Sequence, residues 1–328
     1  MLEHGGRLQA AARRYGIPAA DWLDLSTGIN PRPYPVPPLP TAVWQRLPED
    51  EDGLAEAAAA CYGSAELLPV AGSQAAIQAL PALIPGARVT LLAPTYAEHP
   101  HAWRGRSLRR CRADEVDTLV DDTDVLVLAH PNNPTGERFT RERLLGWHSR
   151  LAARGGWLVV DEAFIDADPA ESLAPHAGRA NLVVLRSLGK FFGLGGARAG
   201  FVLAEAALRE RLAEQLGPWA VSGPARFAAQ AALADAAWQR AARDELAAAG
   251  RRLRELLRHH LPGESSGTAL FQWLPHPRAA AVHDALARHG ILVRLFDDPP
   301  ALRFGLPADE AGWRRLADAL HTLRGHSA

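Results

Sequence analysis

One lysine stands out among the basic residues of this chain. The 328 residues include 36 Lys and Arg in total, and Lys190 is the only lysine, so the other 35 are arginines. A guanidinium stays protonated and cannot attack a carbonyl group, whereas the amine of a lysine can lose its proton in a suitable environment. Lys190 is therefore a candidate for covalent chemistry, and a surviving surface lysine is the alternative.

Glycines and one arginine surround this lysine. The segment Ser187-Leu188-Gly189-Lys190 is followed by Gly193-Leu194-Gly195-Gly196-Ala197-Arg198. A glycine-rich turn that brings a lysine and an arginine to one strand end suits a carbonyl compound that also carries an anionic group. Glycines in ordinary turns would have the same pattern, so this segment is not specific by itself.

Three further motifs stand where predicted strands end. HPNNPTG at residues 130–136 contains Asn133, and Asp161-Glu162-Ala163-Phe164 follows the apolar run WLVV. Gly72-Ser73-Gln74 lies between a predicted strand and a predicted helix, where unpaired backbone N–H groups can bind a phosphate. Besides the lysine, the chain therefore has an amide, a carboxylate and a candidate anion site at predicted strand ends.

Short apolar runs alternate with Ala-, Arg- and Leu-rich stretches of helical character through the middle of the chain. This alternation predicts a mostly parallel sheet with helices on both faces. The predicted strands are residues 67–71, 88–92, 124–129, 157–160, 182–185 and 200–203, and the helices between them are residues 73–83, 97–103 and 141–154. Side chains that do chemistry should collect at the strand ends.

The rest of the chain predicts a second, smaller domain. Residues 204–261 are strongly helical, with breaks expected at Gly217-Pro218 and Gly223-Pro224. After Pro262-Gly263, strands at 270–274, 291–296 and 301–304 and helices at 278–289 and 309–323 indicate an α+β unit. Proline-rich residues 30–40 predict an extended arm. We expect an N-terminal arm at 1–45 that packs with the small domain, a large domain at 46–225 and the small C-terminal domain at 226–328.

Composition excludes several classes of protein. The formal net charge of -1 provides no general attraction to nucleic acid or to an anionic membrane. No stretch approaches the ~18 uninterrupted apolar residues of a membrane span, and the first residues lack the apolar core of a signal peptide. Cys61 and Cys111 are too few for a disulfide framework. We therefore expect a cytoplasmic protein without a metal site.

The order of these motifs resembles the fold type I pyridoxal-phosphate enzymes related to aspartate aminotransferase, and the resemblance covers nearly the whole chain. It implies an α/β fold with a mostly parallel seven-stranded sheet in the large domain, and pyridoxal 5'-phosphate as cofactor. Lys190 would bind the cofactor covalently and later move protons, while Asp161 would pair with the pyridine nitrogen. The other implied cofactor-binding residues are Gly72, Ser73, Gln74 and Arg198 at the phosphate with Ser187, Asn133 at the phenolic oxygen, and Tyr96 stacked on the ring.

Two positions depart from the aminotransferase pattern. Phe164 stands where those enzymes usually carry a tyrosine, so one hydroxyl near the phenolic oxygen is missing. Leu47, in Arg46-Leu47-Pro48, stands where a tyrosine often reaches across a dimer to the phosphate. The resemblance still implies a homodimer, with cofactor contacts that differ from those of a standard transaminase.

Both ends of the chain narrow the resemblance to the threonine-phosphate decarboxylases of cobalamin biosynthesis. HGG at 4–6, LDLSTGINP at 23–31, GILVR at 290–294 and LRFGLP at 302–307 carry this likeness. It implies decarboxylation of an amino acid phosphate, L-threonine O-3-phosphate. Arg303 would bind the substrate carboxylate, and Arg294 and His4 its phosphate. Gly28 and Asn133 complete the substrate-binding residues that the resemblance implies.

Other functions are compatible with the same motifs. Histidinol-phosphate aminotransferase is related and also binds an amino phosphate, although DEAF and the HGG opening favour the decarboxylase. An effector-sensing module without activity is a second alternative, but the intact Lys190 and Asp161 favour catalysis. A dinucleotide-binding dehydrogenase is the weakest, because GLGGAR follows the lysine rather than opening a first βαβ unit.

Overall fold

The computed structural model describes residues 4–325 of the chain. The strands are β1 Leu23–Asp24, β2 Leu67–Val70, β3 Arg88–Leu92, β4 Ser107–Cys111, β5 Val125–Ala129, β6 Trp157–Asp161, β7 Leu182–Ser187, β8 Gly200–Ala204, β9 Ser266–Thr268, β10 Phe271–Pro275, β11 Ile291–Leu292, β12 Arg294–Asp297 and β13 Pro300–Gly305. The α-helices are α1 Leu8–Tyr15, α2 Ala42–Gln45, α3 Leu54–Tyr62, α4 Ser73–Leu83, α5 Glu98–Ala102, α6 Val116–Leu119, α7 Arg141–Ala152, α8 Ala206–Leu216, α9 Gly223–Ala234, α10 Ala236–His260, α11 Ala279–Arg288 and α12 Glu310–Gly325.

The larger of two compact units contains Pro33–Asn133 and Glu137–Ala242. Its seven-stranded sheet has the order β2-β8-β7-β6-β5-β3-β4, and only β8 runs antiparallel to its neighbours. All residues of β5, β6 and β7 are buried, as expected for strands covered on both faces. The predicted mostly parallel seven-stranded sheet is confirmed.

The sequence does not predict β4, an edge strand that pairs only with β3 within this sheet. Its residues, SLRRC, contain no apolar run, because an edge strand needs less burial than a central one. Both predicted breaks in the helical region coincide with helix boundaries. Helix α8 ends at Leu216, before Gly217-Pro218, and α9 begins at Gly223 with proline in its first turn, where the missing N–H costs nothing.

The sheet reverses its winding direction between β3 and β5. The chain leaves β3 towards the edge strand β4, returns to form β5 on the other side of β3, and continues to β6. In open α/β sheets, ligands bind outside the carboxyl ends of the strands at such a switch point. The segments after β3 and β5 contain Tyr96 and Asn133, and Asp161 ends β6.

The smaller unit contains the described residues of Met1–Arg32, Pro134–Gly136 and Arg243–Ala328. Its antiparallel sheet has the order β12-β13-β10-β9, and β1 pairs with β11 in a separate parallel pair. The predicted strand at 291–296 is therefore two strands in different sheets, separated at Val293. The small α+β unit is confirmed. Its boundary with the larger unit falls inside α10, and the domain limits at residues 45 and 225 stay predictions.

Candidate active site

The predicted phosphate site lies at the start of helix α4, in the larger unit. Gly72 precedes the helix with a φ of 73°, in the left-handed region that favours glycine. A Cβ atom built on Gly72 would lie 2.8 Å from Nη2 of Arg198, so the guanidinium packs against this glycine backbone. Nη1 of Arg198 also donates to the carbonyl of Gly195 at 3.1 Å. The first N–H groups of α4 and a fixed guanidinium suit a phosphate.

Gln74, also predicted at the phosphate, uses its side chain elsewhere. Its Oε1 accepts from the Tyr96 hydroxyl at 3.2 Å, and its Nε2 donates to Oε2 of Glu98 at 2.9 Å. Any contact between Gln74 and the phosphate is therefore expected from its backbone N–H. Tyr96 is half-buried, and its ring forms a T-shaped pair with that of His99, with the two centroids 5.9 Å apart.

Asp161 lies at the end of β6, and its side chain forms two hydrogen bonds. Its Oδ1 accepts from the backbone N–H of Ala163 at 3.0 Å, and Nε2 of His99 lies 3.0 Å from its Oδ2. Because a carboxylate only accepts, the imidazole of His99 donates in this pair. Both side chains are buried. Sequence reasoning missed His99, and its only signal is the spacing of three residues after Tyr96.

Lys190 follows β7 through a tight glycine turn. The hydroxyl of Ser187 accepts from the backbone N–H of Gly189 at 3.2 Å, which fixes the first part of the turn. The half-buried Lys190 directs its Nζ over the ring of Phe164, 5.6 Å from the centroid. The phenylalanine that replaces the expected tyrosine is thus close to the lysine.

The two adjacent asparagines of HPNNPTG have different surroundings. Asn132 is buried, its Nδ2 donates to the carbonyl of Pro94 at 2.9 Å, and its Oδ1 accepts from Thr95 at 3.1 Å. These bonds tie the segment after β5 to the segment after β3. Asn132 is therefore structural, and the half-buried Asn133 remains the predicted cofactor ligand.

A buried ionic cluster lies next in sequence to two of the predicted cofactor residues. Nη1 of Arg186, beside Ser187, donates to Glu162 at 2.9 Å and to Ser172 at 3.0 Å, and its Nη2 contacts Asp166. Burial raises the pKa of Glu162 against the opposing effect of Arg186. The cluster ties the ends of β6 and β7 together, and sequence reasoning missed it because nothing local pairs these residues.

The predicted substrate arginines belong to the smaller unit. Arg294 on β12 lies directly opposite Arg303 on β13, so both side chains project from the same face of the sheet. Arg303 is buried, its Nη2 donates to the carbonyl of Ser26 at 3.1 Å, and its guanidinium lies 5.1 Å from the ring centroid of Phe271. Two like charges opposite one another are unfavourable, which favours a role in binding anions.

The N-terminal residues approach the same part of this unit. The backbone N–H of Gly6 donates to Oγ of Ser26 at 2.8 Å, and a Cβ on Gly5 would lie 2.3 Å from the Ser26 carbonyl that Arg303 also contacts. His4 is half-buried beside these glycines, and the buried Gly28 lies two residues after Ser26. The smaller unit thus gathers the segments that contain His4, Gly28 and Arg303.

The described residues, 4–325, contain no group of three or more His, Cys, Asp or Glu side chains placed to hold a metal ion. None of the helices in that part of the chain is long and apolar enough to cross a membrane.

The predicted cofactor residues fit pyridoxal phosphate in their chemistry. They provide an anion site, a buried carboxylate, an aromatic ring and an amine at one edge of the sheet.

Comparisons with known proteins identify the family. The family model for class I and II aminotransferases matches residues 47–320. A curated threonine-phosphate decarboxylase from Pseudomonas aeruginosa is 58% identical over 322 residues, which are 98% of this chain and 97% of that protein. Another, from Sinorhizobium sp, is 43% identical over 333 residues and covers 97% of each chain.

Solved structures have the same fold. A histidinol-phosphate aminotransferase from Sinorhizobium meliloti, in complex with pyridoxal-5'-phosphate, matches with a TM-score of 0.83 at 22% identity, over 100% of this chain and 96% of that one. An L-threonine-O-3-phosphate decarboxylase from Porphyromonas gingivalis matches with a TM-score of 0.75 at 21% identity, over 91% of this chain and 98% of that one. With its fold, its motif order and its family match in agreement, the chain belongs to the class I and II aminotransferase family.

Proposed function

We propose that this chain is a pyridoxal-phosphate-dependent carboxy-lyase that converts L-threonine O-3-phosphate to (R)-1-amino-2-propanol O-2-phosphate and CO2, a step of cobalamin biosynthesis. The observation that carries the proposal is the 58% identity with a curated threonine-phosphate decarboxylase over 98% of the chain. The paired arginines on β12 and β13 add physical support, because the substrate carries both a carboxylate and a phosphate.

Bound pyridoxal phosphate supplies an electron sink for the bond that breaks at Cα. Asp161, held by His99 and by the N–H of Ala163, would keep a proton on the pyridine nitrogen. Arg198 and the start of α4 would bind the cofactor phosphate. Lys190 would hold the cofactor covalently through its amine, and the same amine would deliver a proton to Cα in place of the lost carboxylate.

The substrate arginines would select the reaction. Which group is lost from Cα would depend on the rotation about the bond between the substrate nitrogen and Cα, because the bound cofactor would take up the electrons of the broken bond. Arg303 at the carboxylate and Arg294 at the phosphate, with help from His4, would fix this rotation. Held in this way, the substrate would lose its carboxylate as CO2, and loss of the Cα hydrogen, which begins transamination, would be disfavoured.

The experiment that tests the proposal offers the purified, cofactor-loaded protein two substrates. One sample receives L-threonine O-3-phosphate, and the other receives histidinol phosphate with 2-oxoglutarate. We expect release of CO2 and aminopropanol phosphate in the first sample and no glutamate in the second. The opposite result would make the chain a histidinol-phosphate aminotransferase, a function named for a solved structure with the same fold.

We also propose that the chain acts as a homodimer in the cytoplasm. Trp44, Leu47 and Trp219 are large apolar residues that remain 66%, 63% and 57% exposed. The two tryptophans line a groove of about 610 Å³ together with Val36 and Leu39 from the proline-rich arm. Contiguous exposed apolar surface of this kind favours a protein interface, and a second copy of the chain is the proposed occupant.

A further inference from the structure

We propose that Glu98 is a positioning residue, which sets the orientation of the Tyr96 ring through the side chain of Gln74. This inference rests on the proposed function, because Tyr96 is the ring predicted to stack on the cofactor. Glu98 itself contributes no group to the predicted cofactor site.

Three hydrogen bonds join residues from three elements. Nε2 of Gln74, in the first turn of α4, donates to Oε2 of Glu98 at 2.9 Å, and Glu98 begins α5. The same oxygen accepts from Nε2 of Gln78 at 3.0 Å, one helical turn further along α4. The Tyr96 hydroxyl, in the segment after β3, donates to Oε1 of Gln74 at 3.2 Å. The carboxylate thus reaches the tyrosine through one amide.

The chemistry of these groups determines which group donates and which accepts in each of these hydrogen bonds. A carboxylate oxygen can only accept, so the amino group of the Gln74 amide must face Glu98. The carbonyl oxygen of the amide then faces Tyr96, and the tyrosine hydroxyl must donate to it. An apolar residue at position 98 would leave the amide free to rotate by half a turn, and the hydroxyl would lose its defined acceptor.

The carboxylate of Glu98 requires an explanation, because its partner Gln74 belongs to the turn that is predicted to bind the cofactor phosphate. A negative charge near a phosphate dianion weakens its binding. Charge-assisted hydrogen bonds are stronger than neutral ones, so the carboxylate holds both amides more firmly than a neutral acceptor would. The Tyr96 ring also forms a T-shaped pair with His99, which binds Asp161. Two different contacts, the amide that Glu98 anchors and the imidazole of His99, therefore act on this ring.

The test is a double-mutant cycle read out on cofactor binding. Apo protein is titrated with pyridoxal phosphate to obtain the dissociation constant, and circular dichroism at the cofactor's absorption band reports the ring orientation. The variants are Glu98→Ala, Glu98→Gln, Tyr96→Phe and the combination of Glu98→Ala with Tyr96→Phe. Gln78→Ala is the matched control, because it removes the other amide on Glu98 and leaves the path to Tyr96 intact.

We expect Glu98→Ala to raise the dissociation constant about 3- to 10-fold, in keeping with the loss of an ordered hydrogen bond, and to change the dichroism. Glu98→Gln keeps an acceptor but loses the charge and adds a donor, so its dissociation constant should lie between those of wild type and Glu98→Ala. Tyr96→Phe keeps the ring but lacks the hydroxyl, so adding Glu98→Ala to it should cause no further change. Gln78→Ala should leave both measurements unchanged.

Two outcomes would overturn the inference while leaving the proposed function intact. In one, Glu98→Ala binds the cofactor as wild type does, with the same dichroism. In the other, Glu98→Ala has its full effect in the Tyr96→Phe background, which would mean that the carboxylate acts independently of the hydroxyl. If Glu98→Ala does not fold, the comparison of Glu98→Gln and Gln74→Leu with Tyr96→Phe provides the same test. Wild-type protein that binds no pyridoxal phosphate would overturn both this inference and the proposed function.

Discussion

Lys190 makes the attachment of the cofactor testable at the level of one residue, because the chain has no other lysine. We expect borohydride reduction of the cofactor-loaded protein to fix pyridoxal phosphate onto Lys190. Digestion and mass spectrometry should then find the added mass on the peptide that contains this residue. The N-terminal amine is the remaining primary amine of the chain, and a label found there alone would contradict the assignment.

Arg294 tests how the substrate is held. A charge-assisted hydrogen bond contributes about 1.5 to 3 kcal/mol, so Arg294→Ala should raise KM for threonine phosphate roughly 10- to 100-fold. Loss of this anchor should also raise the small fraction of turnovers that end in transamination, since rotation about the bond between nitrogen and Cα becomes freer. Steady-state kinetics with product analysis measures both effects.

Two comparisons control this prediction. Cofactor affinity should not change, because the substitution leaves Arg198 and the start of α4, the predicted phosphate-binding groups, unaltered. Arg258→Ala, which removes an exposed arginine paired with Glu255 on α10, should leave KM unchanged. Decarboxylation by Arg294→Ala at the wild-type rate and affinity would move phosphate recognition to another residue.

We expect His130 to make the free energy of unfolding depend on pH. His130 precedes the NPTG motif in the sequence, and its side chain is buried. Its Nδ1 accepts a hydrogen bond from the backbone N–H of Phe139 at 3.4 Å. Burial, together with the nearby Arg138, lowers the pKa of His130 from 6.5 to about 4. Between these values the unfolded chain binds a proton that the folded protein does not, so the free energy of unfolding falls as the pH is lowered from 6.5 to 4.

The size of this effect follows from the change in pKa. At about 1.4 kcal/mol per pKa unit, His130 contributes a loss of roughly 3 kcal/mol at pH 4. Urea unfolding of wild type and His130→Asn at several pH values measures it. The stability difference between the two proteins at pH 7.5 serves as reference, and at pH 4 it should have shifted by that amount in favour of the variant. Parallel pH profiles would show that His130 is not the group responsible.

At the scale of elements, β8 passes close to the phosphate turn. A Cβ atom on Gly200, the first residue of β8, would lie 2.6 Å from the carbonyl oxygen of Arg186 and 2.8 Å from the backbone nitrogen of Ser73. Both neighbours are backbone atoms, so the strand or the start of α4 must shift. We expect Gly200→Ala to lower the free energy of unfolding by about 1 to 3 kcal/mol and to weaken cofactor binding.

Gly196 provides the matched control for this substitution. It lies four residues earlier in the same segment, and a Cβ built there meets nothing within 4 Å. Gly196→Ala should change the free energy of unfolding by less than about 0.5 kcal/mol. Denaturant unfolding and a cofactor titration on both variants provide the comparison, and equal effects at the two positions would rule out the close approach as the cause.

At the scale of the whole molecule, the exposed tryptophans make the proposed dimer testable. Sedimentation equilibrium should give twice the 35.3 kDa mass of the chain. Trp44→Glu, which introduces a charge into the apolar groove, should shift the equilibrium towards monomer and lower activity at dilute concentrations. Arg258→Glu, on an exposed face of α10, should leave the assembly unchanged. Full activity from a monomer at high dilution would contradict the proposal.

The sequence by itself determined the chemistry of the larger unit and most of its elements. Lys190 could be predicted because covalent chemistry at a carbonyl tolerates few substitutes, and buried parallel strands leave continuous apolar runs in the sequence. The roles of Lys190, Asp161 and the NPTG motif stay predictions. The order of these motifs was sufficient to predict the family and the seven-stranded sheet, both of which are confirmed.

Only the tertiary structure decided which side chains support those residues. His99 reaches Asp161 across 62 positions of sequence, and Arg186 reaches Glu162 across 24 positions. No local pattern encodes either pair, because a long-range hydrogen bond depends on the way in which strands and loops pack together. The same holds for the edge strand β4 and for the division of residues 291–296 between two sheets. Pairing with a neighbour, and not the local composition, determines what those segments become.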